Sequence, residues 1–306
     1  MQRKKQRPQL FYPQRRGVCH SSQQRPSTGN VTISLADPFM KVHIIDNGWL
    51  ECDQNWMVAM SVVGTKHNKT PPINWIKIPV YAVLIDHPAG KILYDTGCHP
   101  NAMKGHWPKN LQALFPYHFT RKQTLENGLA RTGTRIEDIR TLVLSHLHGD
   151  HAGNLHRFTQ AEVYVPKNDF EHARTLVRAS SNPESYGAYV KAEVETQVRR
   201  FHLVEQEQEI VEGVQLVNLP GHTPGLLGLL VQLKKDGNLL FPQDALYTRE
   251  NLGPPARFSG IVYDSIAFMK SVEKVRTLAS QYQAKVMFSH DMEFFSTLKS
   301  APRYYC

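Results

Sequence analysis

Four side chains that can bind a metal ion lie within six consecutive residues: His146, His148, Asp150 and His151. Ionisable groups this close together are costly to bury unless something pairs them, because each loses its hydration. The four side chains therefore either lie in water on an exposed loop or surround a cation. Imidazole nitrogens and carboxylate oxygens are ligands that zinc accepts in proteins, so the chemistry to consider here is metal binding.

The flanking residues favour the cation. Thr141–Ser145 is a β-branched and apolar run, which predicts a buried strand, and Gly149 and Gly153 allow sharp backbone turns directly after it. On an extended chain the first two histidines point to the same side, because strand side chains alternate with a period of two. The aspartate and the third histidine can then face a second position nearby. The pattern predicts two metal positions.

Three further segments repeat the order of strand, ligand-type residue and loop, and they end at His222, Asp244 and His290. A single histidine at the end of a strand is more often a packing or surface residue than a functional one. Four segments of the same kind in one chain favour a shared site instead.

These motifs, in the order HLHGDH, PGHTPG, DALYT and SHD, resemble the metallo-β-lactamase superfamily. Their surroundings resemble its acyl-homoserine lactonase branch, which includes 4-pyridoxolactonase-like and γ-butyrolactone-hydrolysing enzymes. The resemblance runs from about Met40 to Cys306. HLHGDH is specific to the superfamily, whereas DALYT and the C-terminal stretch after His290 are what suggest the branch.

The resemblance implies a dinuclear centre with two Zn²⁺ ions per chain. It assigns His146, His148 and His222 to the first ion and Asp150, His151 and His290 to the second, with Asp244 and a water or hydroxide bridging both. Residue 148 is His, unlike the Glu of di-iron redox proteins of the fold, and residue 151 is His, unlike the Arg or Cys of many true β-lactamases.

The implied reaction is the opening of a lactone ring, of an N-acyl-homoserine lactone or a related small lactone, by a zinc-bridging hydroxide. Asp150 would deliver a proton to the leaving alkoxide, and Tyr247 would donate a hydrogen bond to the substrate carbonyl. The alternative for Tyr247 is a packed core tyrosine. Asp95 of the YDTG motif would orient a ligand histidine or, equally, hold local backbone amides in a turn.

Three other functions are considered. A phosphodiesterase or nuclease of the same fold would share the ligands, but it needs a basic face. A thioesterase of the glyoxalase II type usually brings a separate helical domain, which the sequence does not indicate. A non-catalytic binding module is disfavoured because all seven ligand-type residues are present.

The charge separates two regions. The chain has 306 residues and a net charge of +9, of which +7 belongs to residues 1–36, so residues 37–306 carry only +2. We expect residues 1–38 to be a basic, disordered extension and residues 39–306 to be one hydrolase domain. The extension is a solvated tail or an arm for an anionic partner or a membrane surface.

No apolar run is long enough to span a bilayer, and the four cysteines (Cys19, Cys52, Cys98, Cys306) are scattered. Free thiols are expected over a disulfide, which favours a cytoplasmic protein. The expected partner is a small lactone. We expect no nucleic acid and no membrane span, and a homodimer stays open.

The elements that must position these residues alternate between strands and helices. A hairpin is expected around Pro88-Ala89-Gly90, and helices over 121–131, 168–178 and 264–282. The last helix carries apolar residues at intervals of three, which are expected to be core: Ile266, Met269, Val272, Val275 and Leu278. Such alternation suits the fold that the resemblance implies. That fold is the αβ/βα four-layer sandwich of the α/β class, two mixed sheets flanked by helices.

Two long segments, 52–75 and 99–119, are expected to be loops near the site. Their aromatic and methionine side chains either line a substrate pocket or pack against the domain. These side chains are Trp56, Met57, Met60, Trp75, Trp107, Phe115 and Tyr117.

Overall fold

Two β-sheets carry the loops that hold the predicted ligands. The computed structural model describes residues 39–306, and the predicted extension, residues 1–38, lies outside the described residues. Twelve strands are found in the described part of the chain. They are β1 (Lys41–Asp53), β2 (Trp75–His87), β3 (Gly90–Tyr94), β4 (Tyr117–His118), β5 (Thr141–Val143), β6 (Glu162–Pro166), β7 (Arg200–Val204), β8 (Gln208–Val211), β9 (Val214–Asn218), β10 (Leu227–Val231), β11 (Leu239–Gln243) and β12 (Lys285–Phe288).

Helices cover the outer faces of both sheets. Within residues 39–306 the α-helices are α1 (Gln54–Met57), α2 (Lys109–Leu114), α3 (Leu125–Ala130), α4 (Gly149–Ala152), α5 (Lys167–Ala179), α6 (Lys191–Val194), α7 (Arg249–Leu252), α8 (Ser265–Gln281) and α9 (Met292–Ser296). Short 3₁₀ turns lie at Ala102–Lys104, Arg121–Gln123, Ile136–Asp138, Leu155–Arg157 and Pro183–Tyr186.

The order of strands is β4-β1-β2-β3-β5-β6-β7 in the first sheet and β12-β11-β10-β9-β8 in the second. Strands β3, β5, β6 and β7 run parallel, as do β11 and β12, whereas the other pairs are antiparallel. The carboxyl ends of parallel strands meet at one edge of a sheet, where open α/β layers place their sites. The predicted ligands follow β5, β9, β11 and β12 at these ends.

The apolar side chains explain the layering. Central strands are buried on both faces, so they form nearly continuous apolar runs. One face of β2 packs between the sheets through Val83 and Ile85, while Ala82 and Leu84 pack under α3 and α5 on the other face. The second sheet is covered by α8 through Phe268, a buried residue. The result is the predicted αβ/βα four-layer sandwich of two mixed sheets flanked by helices.

Most of the predicted elements are confirmed. The hairpin joins β2 to β3, and the predicted helices correspond to the Arg121–Gln123 turn with α3, to α5 and to α8. The core assignment of Ile266 was wrong, because this side chain is 68% exposed. A spacing of three advances about 300° around a helix of 3.6 residues per turn, so a stripe with that spacing drifts off the buried face. Phe268 occupies the buried face instead.

Two further observations concern surroundings and cysteines. None of the helices in residues 39–306 has the length and apolar character needed to cross a membrane. Within the same residues Cys52, Cys98 and Cys306 are free thiols, as expected from their scattered positions.

Candidate metal centre

The structure brings all seven predicted ligands together at the edge shared by the two sheets. Their side chains form two groups, and within each group the ligand atoms lie within 4.8 Å of one another. The first group is His146, His148, His222 and Asp244, and the second is Asp150, His151, Asp244 and His290. All are buried except Asp150, which is half-buried.

Asp244 is the member that both groups share. Its Oδ2 lies 3.6 Å from His146 Nε2, 3.4 Å from His222 Nε2 and 3.3 Å from His151 Nε2. Its Oδ1 lies 3.2 Å from His290 Nε2. One carboxylate thus faces imidazoles of both groups, which is the arrangement predicted for a bridging ligand.

The turn after β11 presents this carboxylate. Gln243, directly before Asp244, has a left-handed backbone with φ of 47°, a conformation that is uncommon outside glycine. Its side chain donates a hydrogen bond from Nε2 to Asp95 Oδ2 at 2.8 Å. This buried bond holds the turn in place. No sequence pattern singled out Gln243, because its partner is distant in the chain.

Buried atoms without partners show that the cluster fits a cation. Within the described residues, His146 Nε2, His151 Nε2 and Asp244 Oδ1 are buried and make no hydrogen bond. Native proteins rarely leave buried polar atoms unsatisfied. Imidazole nitrogens and a carboxylate oxygen arranged in this way are a donor set that zinc accepts, so the residues present fit a transition-metal ion in each group.

The histidines of the first group are in the form that binds metals. Burial, together with the neighbouring His222, lowers the pKa of His148 to about 3. Burial also lowers the pKa of His146 and of His222. These rings are therefore neutral near pH 7, and only a neutral imidazole can coordinate.

In the second group, nearby carboxylates outweigh the effect of burial on the pKa of the histidines. Burial alone would lower the pKa of His151, but the carboxylates of Asp244, Asp150 and Asp95 outweigh it and hold the pKa well above the usual value. The pKa of His290 is raised for the same reason, with Asp244 and Asp150 outweighing burial. Without a cation these two rings keep protons between the carboxylates, and a metal ion would take the place of that positive charge.

In three of the histidines the other ring nitrogen, Nδ1, makes a hydrogen bond that orients the ring. His290 Nδ1 lies 3.0 Å from the Pro79 carbonyl, His222 Nδ1 lies 3.2 Å from that of Ile261, and His146 Nδ1 lies 3.0 Å from Ser145 Oγ. A proton on Nδ1 leaves Nε2 free for a metal. His148 differs, because its Nδ1 lies 3.0 Å from His222 Nε2. Nitrogens this close share either a proton or a cation.

Asp95 orients His151, which is one of the two roles predicted for it. Its Oδ2 lies 2.8 Å from His151 Nδ1 and also accepts hydrogen bonds from Ser145 Oγ and Gln243 Nε2. Its Oδ1 accepts the Ser145 amide at 2.7 Å. That amide is distant in sequence, so the alternative of a local turn was wrong. Asp95 joins both sheets beneath the second group.

A chamber opens directly on the ligands. His148, Asp150, Asp244, Tyr247 and His290 form its polar wall, and its remaining lining is mostly apolar: Leu50, Met57, Ile78, Trp107, Leu111, Phe115, Gly149, Ala188 and Ile261. A larger groove of about 400 Å³ adjoins the chamber. His148, Leu111, Phe115, Ala188 and Ile261 line both cavities.

Of the aromatic and methionine side chains in segments 52–75 and 99–119, some line a cavity and others pack in the core or are exposed. Trp107 and Met57 line the chamber, Trp56 lines the groove, and Phe115 lines both. Tyr117 packs in the core, with its hydroxyl on the Asn47 carbonyl. Met60 and Trp75 are 74% and 47% exposed and line neither cavity.

Tyr247 lies in the chamber wall, with its hydroxyl 3.1 Å from His222 Nδ1. Its ring meets those of His222 and His290 edge to face. Burial raises the pKa of the phenol well above its usual value, so the hydroxyl keeps its proton. The ring is buried, as the core alternative requires, and the hydroxyl faces the cluster, as the donor role requires.

Asp169 and Tyr189 are neighbours of the first group that no sequence pattern identified. Asp169 is fully buried in the first turn of α5 and accepts hydrogen bonds from Leu147 N and the Tyr189 hydroxyl. Burial raises the pKa of Asp169 to about 7. Asp169 follows β6 but lies inside a helix rather than in a loop, and Tyr189 follows no strand, so the full pattern of strand, ligand-type residue and loop is absent.

Comparison with known proteins agrees with this geometry. Residues 75–290 match the family model of the metallo-beta-lactamase superfamily. The chain is 36% identical over 275 residues to the N-acyl homoserine lactonase AiiB of Agrobacterium fabrum, covering 87% of this chain and 99% of that protein. It is 31% identical over 242 residues to an N-acyl homoserine lactonase of a Bacillus species, covering 76% and 89%.

Solved structures show the same fold. An N-acyl homoserine lactone hydrolase, with the product N-hexanoyl-L-homoserine at its catalytic metal centre, matches with a TM-score of 0.74 at 24% identity, covering 88% of this chain and 100% of that one. The dizinc quorum-quenching lactonase AidC matches with a TM-score of 0.57 at 18% identity, covering 83% and 88%.

The buried contacts of Asp95 predict a large loss of stability in Asp95→Ala. The change leaves Ser145 N and Gln243 Nε2 buried without acceptors, so the free energy of unfolding should fall by on the order of 3 kcal/mol. Urea unfolding of the metal-free protein measures this. In the control Asp86→Ala, which removes a half-exposed pair with Lys91, the loss should stay under about 1 kcal/mol. Equal losses in both variants would contradict the role of Asp95.

Proposed function

The chain belongs to the metallo-beta-lactamase superfamily, and on that basis we propose that it is a metal-dependent hydrolase that opens the lactone ring of N-acyl homoserine lactones. The observation that carries this function is the pair of ligand groups sharing Asp244, beside a chamber that adjoins a mostly apolar groove. The relatives named as N-acyl homoserine lactonases support the same substrate class.

The seven predicted residues would hold two zinc ions, with His146, His148 and His222 on the first, Asp150, His151 and His290 on the second, and Asp244 on both. When bound, such ions supply a Lewis acid and lower the pKa of water towards neutrality. The neutral imidazoles, the free Nε2 atoms and the buried unpaired atoms of the cluster support this assignment.

Asp150 would move the proton of the reaction. It is the half-buried member of the cluster and lies in the chamber wall. Burial raises its pKa, but His151 and His290 outweigh that effect and hold the pKa at about 2, so the carboxylate is ionised. An ionised Asp150 can take a proton from the attacking water and return it to the alkoxide oxygen that leaves when the ring opens.

Tyr247 would bind the carbonyl oxygen. His222 Nδ1–H has the Ile261 carbonyl and the Tyr247 oxygen as acceptors, at 3.2 and 3.1 Å. The hydrogen of the phenol is then free to point into the chamber. The carbonyl oxygen gains negative charge as water attacks, and a donor fixed by its surroundings stabilises that charge more than the ground state.

The groove would hold the acyl chain. Apolar side chains such as Leu114, Leu176 and Val262 line it, and burying a methylene group contributes about 0.8 kcal/mol. A lactone ring in the chamber would place its acyl substituent towards the groove, because the two cavities share five lining residues. Phosphodiester substrates lack a comparable match within residues 39–306, since no lysine or arginine of that range lines either cavity.

A substrate comparison tests the function. Metal-loaded protein is followed in a pH-stat with N-decanoyl- and N-hexanoyl-homoserine lactone, γ-butyrolactone, a thioester and a phosphodiester. We expect both acyl-homoserine lactones to be hydrolysed with a higher kcat/KM than γ-butyrolactone, because only they fill the groove. Faster turnover of the thioester or of the phosphodiester would move the proposal to a thioesterase or a phosphodiesterase.

The shared carboxylate predicts the result of Asp244→Ala. Wild-type protein should contain close to two zinc ions per chain, and the variant should lose both, because one side chain serves both groups. Elemental analysis after gel filtration measures the content, and Asp86→Ala is the control that should keep both ions. Loss of a single ion would contradict the bridging role of Asp244.

Tyr247→Phe keeps the ring and removes the hydroxyl, while His222 Nδ1–H keeps the Ile261 carbonyl as its acceptor. We expect metal content and the midpoint of thermal unfolding to stay near those of the wild type. Lactone turnover should fall roughly ten- to a thousandfold, the upper end being what the loss of one oxyanion donor can cost. A variant that turns over lactones at the parent rate would remove Tyr247 from the mechanism.

A further inference from the structure

Asp169 lies outside the predicted ligand set but is bound to the loop that carries two of its members. It is the third residue of α5, and its side chain is completely buried. Its Oδ2 accepts the Leu147 amide at 2.9 Å, and its Oδ1 accepts the Tyr189 hydroxyl at 2.5 Å. Both oxygens are thus engaged by neutral donors on other segments.

The bond to Leu147 fixes the backbone between two ligands. His146 and His148 flank Leu147, and this stretch belongs to no regular element, because β5 ends at Val143 and α4 begins at Gly149. A buried amide outside a helix or sheet needs an acceptor. Asp169 supplies it, so the position of the peptide between the two histidines depends on this carboxylate.

The bond to Tyr189 supports the His148 ring itself. The two rings meet edge to face with centroids 4.6 Å apart, and the backbones of the two residues form an isolated β-bridge. Tyr189 also lines the groove. Its hydroxyl is held by Asp169, so the ring that packs on His148 cannot turn without breaking that bond.

The loop that carries His222 packs on the same turn of α5. Thr223, the next residue, donates its hydroxyl to the Gly225 carbonyl at 2.7 Å. A methyl group added at Gly225 would lie 3.2 Å from the Asp169 backbone nitrogen. The loop that follows His222 therefore packs closely against this turn.

We propose that Asp169 is the positioning residue of the first ligand group, acting on His146 and His148 through the Leu147 amide and the Tyr189 ring. The inference rests on the proposed metal centre. A carboxylate suits the position because it offers two acceptors and no donor. In Asp169→Asn the amide would direct its own N–H groups at one of the two donors, and one bond would be lost. Groups that orient metal ligands typically contribute 10–100-fold to affinity.

The test is a Co²⁺ titration of the metal-free protein, followed by visible absorption. Wild-type protein should bind two equivalents. In Asp169→Asn the affinity for one ion should fall about 10–100-fold while the other stays unchanged. The matched control is Glu193→Gln, another buried carboxyl, whose partner is His106 at 2.6 Å rather than a ligand loop. It should bind both ions as the wild type does.

Two outcomes would overturn the inference, and only one of them would also overturn the proposed metal centre. If wild-type protein binds two equivalents and Asp169→Asn binds both with unchanged affinity, the role of Asp169 is refuted and the metal centre stands. If wild-type protein binds no cobalt, the metal centre is refuted together with this inference.

Tyr189→Phe is the second variant, and it decides the question if Asp169→Asn fails to fold by circular dichroism. It removes one donor and keeps the ring, so it should weaken the same ion by less than Asp169→Asn does. Asp169→Ala removes both acceptors, including that of Tyr189, so adding Tyr189→Phe to it should weaken binding no further. Fully additive losses, or an unchanged affinity in Tyr189→Phe, would overturn the route through Tyr189.

Discussion

The site depends on one carboxylate that faces four imidazoles. Asp244 approaches His146, His222, His151 and His290 from the end of β11, and it belongs to both ligand groups. A buried charge of this kind is tolerated only when positive charge and hydrogen bonds surround it. In the metal-free protein, protons on His151 and His290 supply that charge. The left-handed turn at Gln243, the carboxyl of Asp95 and the backbone acceptors behind the rings all hold this arrangement in place.

The electrostatics separate the two halves of the cluster. Histidines of the first group are neutral because they are buried together with few carboxylates. In the second group the pKa of His151 is raised by Asp244, Asp150 and Asp95, and that of His290 by Asp244 and Asp150. The half-buried Asp150 belongs to the second group and borders the chamber. The proposed proton transfer by Asp150 would therefore fall to the second group, whereas the first group supplies neutral imidazoles.

The seven ligands were predictable because each is part of a local pattern, a strand followed by a ligand-type residue and a turn. The residues that hold them were not, because they act through contacts between distant segments. Asp169 meets Leu147 across 22 residues, and Gln243 meets Asp95 across 148. The central strands could be predicted from their apolar runs. Strands β7 and β8 carry no such run, because they are short and partly exposed edge strands. The prediction that Ile266 is buried was wrong because a spacing of three only approximates the period of a helix.

Neither ligand group is complete within one sheet. His146, His148, Asp150 and His151 follow β5 in the first sheet, whereas His222, Asp244 and His290 follow strands of the second. During folding, these donors meet only after the two sheets have docked, and such contacts between distant parts of the chain form late. An ion at this edge therefore cannot template either half of the molecule. A bound ion would act only after both sheets are in place, so metal in the medium would slow unfolding without speeding folding.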